Sequence, residues 1–346
     1  MDASIIVPTW NGAALLREFL PSVMDEVRHY TTDGNGSLEV LVVDDASRDN
    51  TREILEAFPV RVLQRDRQGG FPAACNSGIA AARFPYLILL NNDVRIAPGF
   101  VAAILEPFRD PKVFAVTARV FDPDTGLLAT AGKVGCFRKG FWSVYFNYDI
   151  RNPHQAVAEQ LLSMYAVGGF CALRSGPLRD LGGFDELFAP FHWEDIDLSY
   201  RAWKRGWKVV YQPRAVAWHR ASSTINQAFH SREVETVAVR NRLLFHWKNI
   251  HSAGMLGRHL AMLLALVASR WIVGDWDFYR AFKAAVERWP QVKTRRALEK
   301  SAAARSDSSL RRCLRSFADD RQIDVYRSAS EVQERHHERR RSPDHA

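Results

Sequence analysis

Polar side chains stand directly behind three apolar runs of this chain. Thr9 and Asn11 follow residues 4–7, Asp44 and Asp45 follow residues 40–43, and Asn92 and Asp93 follow residues 86–90. A fourth cluster, Glu194, Asp195 and Asp197, opens an amphipathic segment, and His219 closes the apolar run 215–218. Such groups suit a phosphorylated, hydroxyl-bearing ligand. Asp45 can accept hydrogen bonds from a nucleobase N–H or from ribose hydroxyls, with Thr9 and Asn11 flanking that pocket. Asp93 is a hard oxygen ligand for Mg2+ or Mn2+, and a cation there would offset charge on a departing diphosphate. His219 either completes the coordination or is a hydrogen-bonded structural histidine. A hydroxyl becomes a good nucleophile when a base within hydrogen-bond reach takes its proton. Neighbouring residues on a helix point about 100° apart, so Glu194 and Asp195 cannot do the same job. Asp195 is the better candidate for the base, and the like charge beside it raises its pKa. Asp197 reads as structural, since carboxylates in a first turn also favour the helix dipole.

The elements that must position these groups alternate in period. Strands are predicted at 4–7, 40–43, 60–63 and 86–90, and helices at 13–27, 51–58 and 72–82. This order predicts an α/β fold, a mostly parallel sheet flanked by helices. Ligands of open α/β sheets bind at the carboxyl ends of strands, and there the three polar clusters would converge. The competing reading is that Asp and Asn serve as turn and cap residues. Further on, 114–120 reads as a strand and 122–126 as a turn. The aromatic stretch 135–148 reads as an acceptor pocket or as an aromatic satellite core. A helix is expected at 193–203, with strands at 208–211 and 215–218. From about residue 226 the pattern is helical and basic. Its apolar stripe fits either an interfacial membrane helix or a helix packed on the preceding domain.

Composition narrows the field. The chain has 346 residues, 47% hydrophobic and 25% charged, enough for a large core. Its net charge of +8 suits an anionic partner: nucleotide, membrane surface or nucleic acid. Nucleic acid is not favoured, because the basic residues are not interleaved with a recognisable motif. Four dispersed cysteines form no Cys-x-x-Cys pair, so neither disulfides nor a zinc site is expected, and a reducing compartment is. The opening residues lack a basic region followed by a long apolar one, so no secretory leader is expected. The most apolar stretch, 260–269 between Arg258 and Arg270, is shorter than the roughly 20 residues a bilayer span needs. A dinucleotide-binding glycine fingerprint, a Walker A loop and a nucleophile elbow are all missing.

The motifs together resemble glycosyltransferase family 2. The resemblance runs over roughly residues 4–224. It is carried by Ser-Ile-Ile-Val-Pro-Thr-Trp-Asn (4–11), Val-Val-Asp-Asp-Ala-Ser (42–47), Gln-Gly-Gly-Phe-Pro-Ala-Ala-Cys-Asn-Ser-Gly-Ile (68–79) and Leu-Leu-Asn-Asn-Asp-Val (89–94). It continues with Gly-Gly-Phe-Asp-Glu (182–186), Trp-Glu-Asp-Ile-Asp-Leu (193–198) and Trp-His (218–219). It implies the nucleotide-binding GT-A fold and inverting transfer by single displacement. It implies nucleotide contacts from Thr9 and Asp45, a metal ligand at Asp93, a base at Asp195 and a metal-coordinating histidine at His219. The segment with Gly70 and Asn76, and Asn92 beside the metal element, fall near the donor. Asn91 replaces the first acidic residue of the family's metal element, and Pro72 and Cys75 depart from its donor-side segment. The Asn-Asn-Asp and Glu-Asp-Ile-Asp subset looks like bacterial rhamnosyltransferase-type enzymes of surface polysaccharide synthesis.

The expected architecture is a GT-A domain over 1–224, with a nucleotide half to about 120 and an acceptor half beyond. A helical extension over 225–300 and a polar, basic tail over 301–346, disordered from 331, would follow. The expected partners are a dTDP-, UDP- or GDP-linked sugar, a glycan or lipid-linked acceptor, Mg2+ or Mn2+, and a peripheral membrane contact at the inner face of the cytoplasmic membrane. The alternatives are a non-catalytic nucleotide- or glycan-binding protein of the same fold and a nucleotidyltransferase.

Overall fold

In this computed structural model the described residues are 1–150, 161–220, 230–318, 323–326 and 331. The nucleotide half alternates β1 (Ala3–Thr9), α1 (Ala13–Thr32), β2 (Leu38–Asp44), α2 (Thr51–Leu55), β3 (Arg61–Gln64), α3 (Phe71–Ala81) and β4 (Tyr86–Leu90). Then come β5 (Val94–Ile96), α4 (Phe100–Leu105), β6 (Val113–Phe121), β7 (Leu128–Thr130), β8 (Gly132–Arg138), β9 (Phe141–Ile150) and β10 (Phe170–Arg174). The chain continues through α5 (Ser175–Asp180), α6 (Glu194–Lys204) and β11 (Lys208–His219). The C-terminal elements are α7 (Ser231–Asn249), α8 (Ala253–Ser269), α9 (Trp276–Glu287), α10 (Trp289–Ser301), α11 (Asp307–Ala318) and β12 (Ile323–Tyr326).

The main sheet has the order β3-β2-β1-β4-β10-β6-β11-β5, with β7 on β6. Strands β3, β2, β1 and β4 are parallel, as the alternation predicts. Strand β10 is antiparallel to both β4 and β6, so the sheet is mixed. The parallel expectation rests on βαβ units, and a β8–β9 hairpin intervenes before β10 in place of a crossover helix. The expected strands at 208–211 and 215–218 are one strand, β11, whose register with β6 shifts between Gln212 and Val216 around Pro213.

Buried apolar residues fill both faces of the main sheet. Strands covered on both faces must be apolar throughout, as Val40–Val43 and Leu87–Leu90 are. Gly78 lets α3 lie close on β1, since a Cβ there would come within 2.5 Å of Ile6 Cγ2. The aromatic stretch forms a second sheet, β12-β9-β8. Phe141 and Trp142 are buried in the main core and Tyr148 in a smaller cluster with Tyr211 and Ile323, so these rings are core and only Tyr148 is in a satellite.

The C-terminal helices are tied to the sheet domain by buried charge. Asp197 on α6 receives Arg201 Nε at 2.7 Å, Lys248 Nζ at 2.8 Å and Asn249 Nδ2 at 2.7 Å. Lys248 also meets Asp185 at 2.7 Å. Asp307 receives Lys204 Nζ at 2.5 Å, the Tyr200 hydroxyl at 2.8 Å and the amides of His251 and Ser252. The region after 301 therefore includes a docked helix, α11, which buries Leu310 and Leu314 one turn apart. Composition averaged over a polar segment hides such an i, i+4 pair. Residues 221–229 and the segment from 332, where disorder was expected, lie outside the described residues.

Helix α8 extends past the expected apolar run. The stretch Ala253–Val273 is long and apolar enough to cross a membrane by length and composition. Arg258 and His259 break that run in the sequence, but His259 is buried with its Nδ1 at 3.0 Å from the Gly140 carbonyl.

Replacing Lys248 with Met removes one of two buried cations on Asp197 and leaves Arg201 and Asn249 in place, so Lys248→Met is expected to lower stability by about 1–3 kcal/mol. Adding Asp197→Asn should lower it further, because buried Arg201 then loses its carboxylate. Urea unfolding of the single and double variants measures both.

Candidate active site

A cavity of about 400 Å³ opens where β1, β2 and β4 end and α6 begins. Thr9, Asp45, Gly70, Asn92, Asp93, Glu194, Asp195 and His219 all line it, as the sequence predicts. Asn92 Nδ2 donates to Thr9 Oγ1 at 2.8 Å, joining the ends of β1 and β4. Asp45 is more committed than its sequence position suggests. Its carboxylate accepts the Gly69 and Gly70 amides at 3.0 and 2.8 Å and pairs with Arg65 Nε at 2.7 Å. It therefore fixes the 68–70 loop. Gly70 has φ +80°, and a Cβ there would strike the Pro190 carbonyl at 2.6 Å, so only glycine suits this wall.

Asn11 and Asn76 are not among the lining residues. Asn11 Oδ1 accepts the Arg48 amide at 2.8 Å, pinning the loop after β2. Asn76 makes a two-way tie with Phe184, accepting its amide at 2.9 Å and donating to its carbonyl at 2.8 Å. Both amides imitate backbone and hold loops that border the site.

Glu194 and Asp195 reach the cavity from the first turn of α6, immediately after a strained turn. His192 and Trp193 have φ of +69° and +73°, a left-handed conformation that costs non-glycine residues on the order of 1–3 kcal/mol each. The turn is held from outside by α7. Asn241 Nδ2 lies 2.6, 2.9 and 2.8 Å from the carbonyls of Phe188, Phe191 and His192. The Trp193 ring packs against Phe245 of the same helix, 5.1 Å between centroids.

Burial separates the two carboxylates in character. It pushes Glu194 well above the usual carboxylate range, and the Asp195 charge pushes it further. Among the described residues Glu194 Oε2 is buried without a hydrogen-bond partner. Burial also raises Asp195, but the amides of Gly168 at 3.0 Å and Ile196 at 2.7 Å stabilise its charged form. Of the two, Glu194 is the carboxyl whose charged form burial disfavours more, and Asp195 the one whose charged form its neighbours stabilise. Burial lowers the His192 pKa, which keeps that imidazole neutral.

Sequence reasoning missed Lys133, His192, Gly168 and Asn241. Lys133 lines the cavity from β8, and burial pushes its pKa down to about 8 against the pull of Asp195. Its Nζ donates to Thr130 Oγ1 at 3.1 Å and Asn147 Oδ1 at 2.6 Å. One signal was available: a lone lysine among Ala131, Gly132, Val134 and Gly135.

Asp93 and His219 fit a divalent cation. Asp93 Oδ1 and His219 Nε2 lie 3.2 Å apart, and adjacent donors on an octahedral ion with bonds of about 2.1 Å are roughly 3.0 Å apart. The edge of Phe170 packs against the imidazole and fixes its plane. Among the described residues no group of three or more His, Cys, Asp or Glu side chains is arranged to hold a metal. Among the described residues Asp93 and His219 are the two donors that face each other here, and a bound ligand would supply others.

Residues 4–182 match the model of glycosyl transferase family 2, over half of the chain, and the chain belongs to that family. It is 32% identical over 210 residues to the N-acetylglucosaminyl-diphospho-decaprenol L-rhamnosyltransferase of Mycobacterium tuberculosis, covering 54% of this chain and 68% of that one. It is 24% identical over 288 residues to the pre-mycofactocin glycosyltransferase of the same species, covering 78% of this chain and 57% of the relative's length. Among solved structures, GalNAc-T7 with UDP, GalNAc and Mn2+ shares the fold, with a TM-score of 0.54, 18% identity and coverage of 72% of this chain and 48% of that one. The GT-A fold expected from the motifs is thereby shown.

Lys133 is positive below about pH 8 and helps Asp195 stay ionised. Turnover that needs ionised Asp195 should fall as pH drops through its raised pKa. Lys133→Met removes the neighbouring positive charge, so the acid limb of the kcat/KM profile should move to higher pH. An unmoved limb would mean that Lys133 does not act on the base.

Proposed function

We propose that this chain is an inverting glycosyltransferase that moves a sugar from a nucleoside-diphosphate donor to a hydroxyl of a glycan or lipid-linked acceptor. The observation that carries this reading is a desolvated Asp195, its charged form stabilised by two amides, in the same cavity as Thr9, Asp45 and the Asp93–His219 pair. The nucleoside would lie along Thr9, Asp45 and Gly70, and the diphosphate beside Asp93 and His219. When bound there, Mg2+ or Mn2+ supplies charge to offset that of the leaving diphosphate. The acceptor oxygen attacks the anomeric carbon and gives its proton to Asp195. The bond from that carbon to the diphosphate oxygen breaks, and its electron pair leaves with the nucleoside diphosphate. Attack opposite the leaving group inverts the anomeric centre. Glu194, whose charged form burial disfavours more strongly, would not compete as base.

The relatives' names support bacterial surface polysaccharide synthesis as the setting, with a rhamnosyl or hexosyl donor. A diphospho-decaprenol-linked acceptor, named for the rhamnosyltransferase relative, would place the reaction at the inner face of the cytoplasmic membrane.

Calorimetric titration with UDP, dTDP and GDP tests the reading. One nucleotide should bind with Mn2+ present and bind weakly without it, and Asp93→Ala should remove the difference. Asp195→Asn should keep nucleotide affinity and lose roughly a hundred- to ten-thousandfold in kcat. Full turnover by Asp195→Asn would leave a binding protein of the same fold as the better reading.

A further inference from the structure

The outer surface of α8 is apolar and none of the described residues covers it. Only Met255, His259 and Leu263 of this helix are buried, one stripe facing the β8–β9 hairpin. On the other side and just beyond, Leu264, Trp271, Ile272, Val273 and Trp276 are each 60–72% exposed. A helix that is apolar all round belongs in a core or against lipid, and a contiguous exposed patch of large apolar residues marks an interaction site.

Charge decides what covers it. No Asp or Glu occurs from residue 250 to 274. Arg258 lies on α8, and the exposed Arg138 and Lys139 form the hairpin turn beside it, where the Gly140 backbone abuts the Arg258 carbonyl. Asp275, just past the patch, is engaged by Arg270 at 2.9 Å. A second copy related by a two-fold axis would bring like-charged surfaces together. An anionic lipid surface complements them, and tryptophans suit the headgroup level. We propose that α8 and the turn after it lie in the plane of an anionic bilayer, with Trp271, Ile272, Val273 and Trp276 inserted. The helix does not span the bilayer in this arrangement, because its buried stripe is packed on the hairpin and His259 bonds Gly140 and Trp247.

This surface deepens the proposed function and rests on its lipid-linked acceptor. The hairpin runs from the cavity, at Lys133, to α8, at Gly140. Seven residues of strand span roughly 23 Å, so one rigid element joins the acceptor side of the cavity to the bilayer.

Co-sedimentation of the full chain with vesicles tests the proposal. Binding should be stronger to phosphatidylcholine vesicles with 30% phosphatidylglycerol, taken as roughly a bacterial-like anionic content, than to phosphatidylcholine alone, and it should weaken with salt. Trp271→Ser with Trp276→Ser should weaken partition roughly tenfold or more. Val62→Ser, at an exposed position on β3, should leave it unchanged. In the unmodified chain, vesicles with brominated acyl chains should quench tryptophan emission. No binding to anionic vesicles, no quenching, or equal binding by the double variant would overturn the proposal. So would a dimer in light scattering that the double variant abolishes. Vesicle binding needs no nucleotide, so its failure leaves the donor site standing, and failure of nucleotide binding leaves the lipid surface standing.

Discussion

The structure of the site depends on keeping two adjacent carboxylates out of water on a turn that the backbone disfavours. Left-handed His192 and Trp193 aim Glu194 and Asp195 into the cavity. Nothing within the turn makes that conformation favourable. The compensation comes from α7, where one side-chain amide, that of Asn241, reaches three carbonyls of the preceding loop. Asn241 is itself fixed because α7 is anchored through Lys248 to Asp197, two residues after Asp195. The helical extension thus braces the candidate site, although the matched family region ends at residue 182.

Desolvation then sets the chemistry. Burial raises both carboxyls, and local donors decide which charged form is better stabilised. The Gly168 and Ile196 amides and the buried ammonium of Lys133 favour the charged form of Asp195. Across the cavity, Asp93 directly precedes Val94 of β5, which pairs with His219 at the end of β11. Only the folded sheet brings them within 3.2 Å. The site is therefore assembled from strand ends on one side and from an externally braced helix start on the other.

Much of this was readable in the residues. The shared place of Thr9, Asp45, Asn92 and Asp93 at one cavity was legible because βαβ alternation puts strand ends on one edge, and an edge is a prediction about place as well as type. The start of α6 was found because acidic residues open an amphipathic pattern. Asn11 and Asn76, expected at the nucleotide, hold loops bordering the cavity in the structure, and an amide that faces a ligand and one that mimics backbone look alike in sequence. Lys133 and Asn241 were missed because their partners are distant in the chain and no local period marks them. The same physics shortened the expected apolar helix at 260–269. Arg258 and His259 interrupt the run in one dimension, while in three dimensions His259 turns inward to the hairpin.

The most direct test is Asn241→Ala, read by kcat and by nucleotide affinity on the same folded protein. The cavity wall near Thr9 and Asp45 is not touched by this change, but the brace on the turn before Glu194 is lost. A fall in kcat of at least roughly tenfold with nucleotide affinity unchanged is the predicted result, since small misplacements of a catalytic group are costly. A folded variant with wild-type kcat would contradict the account, because the strained turn would then hold its carboxylates without α7.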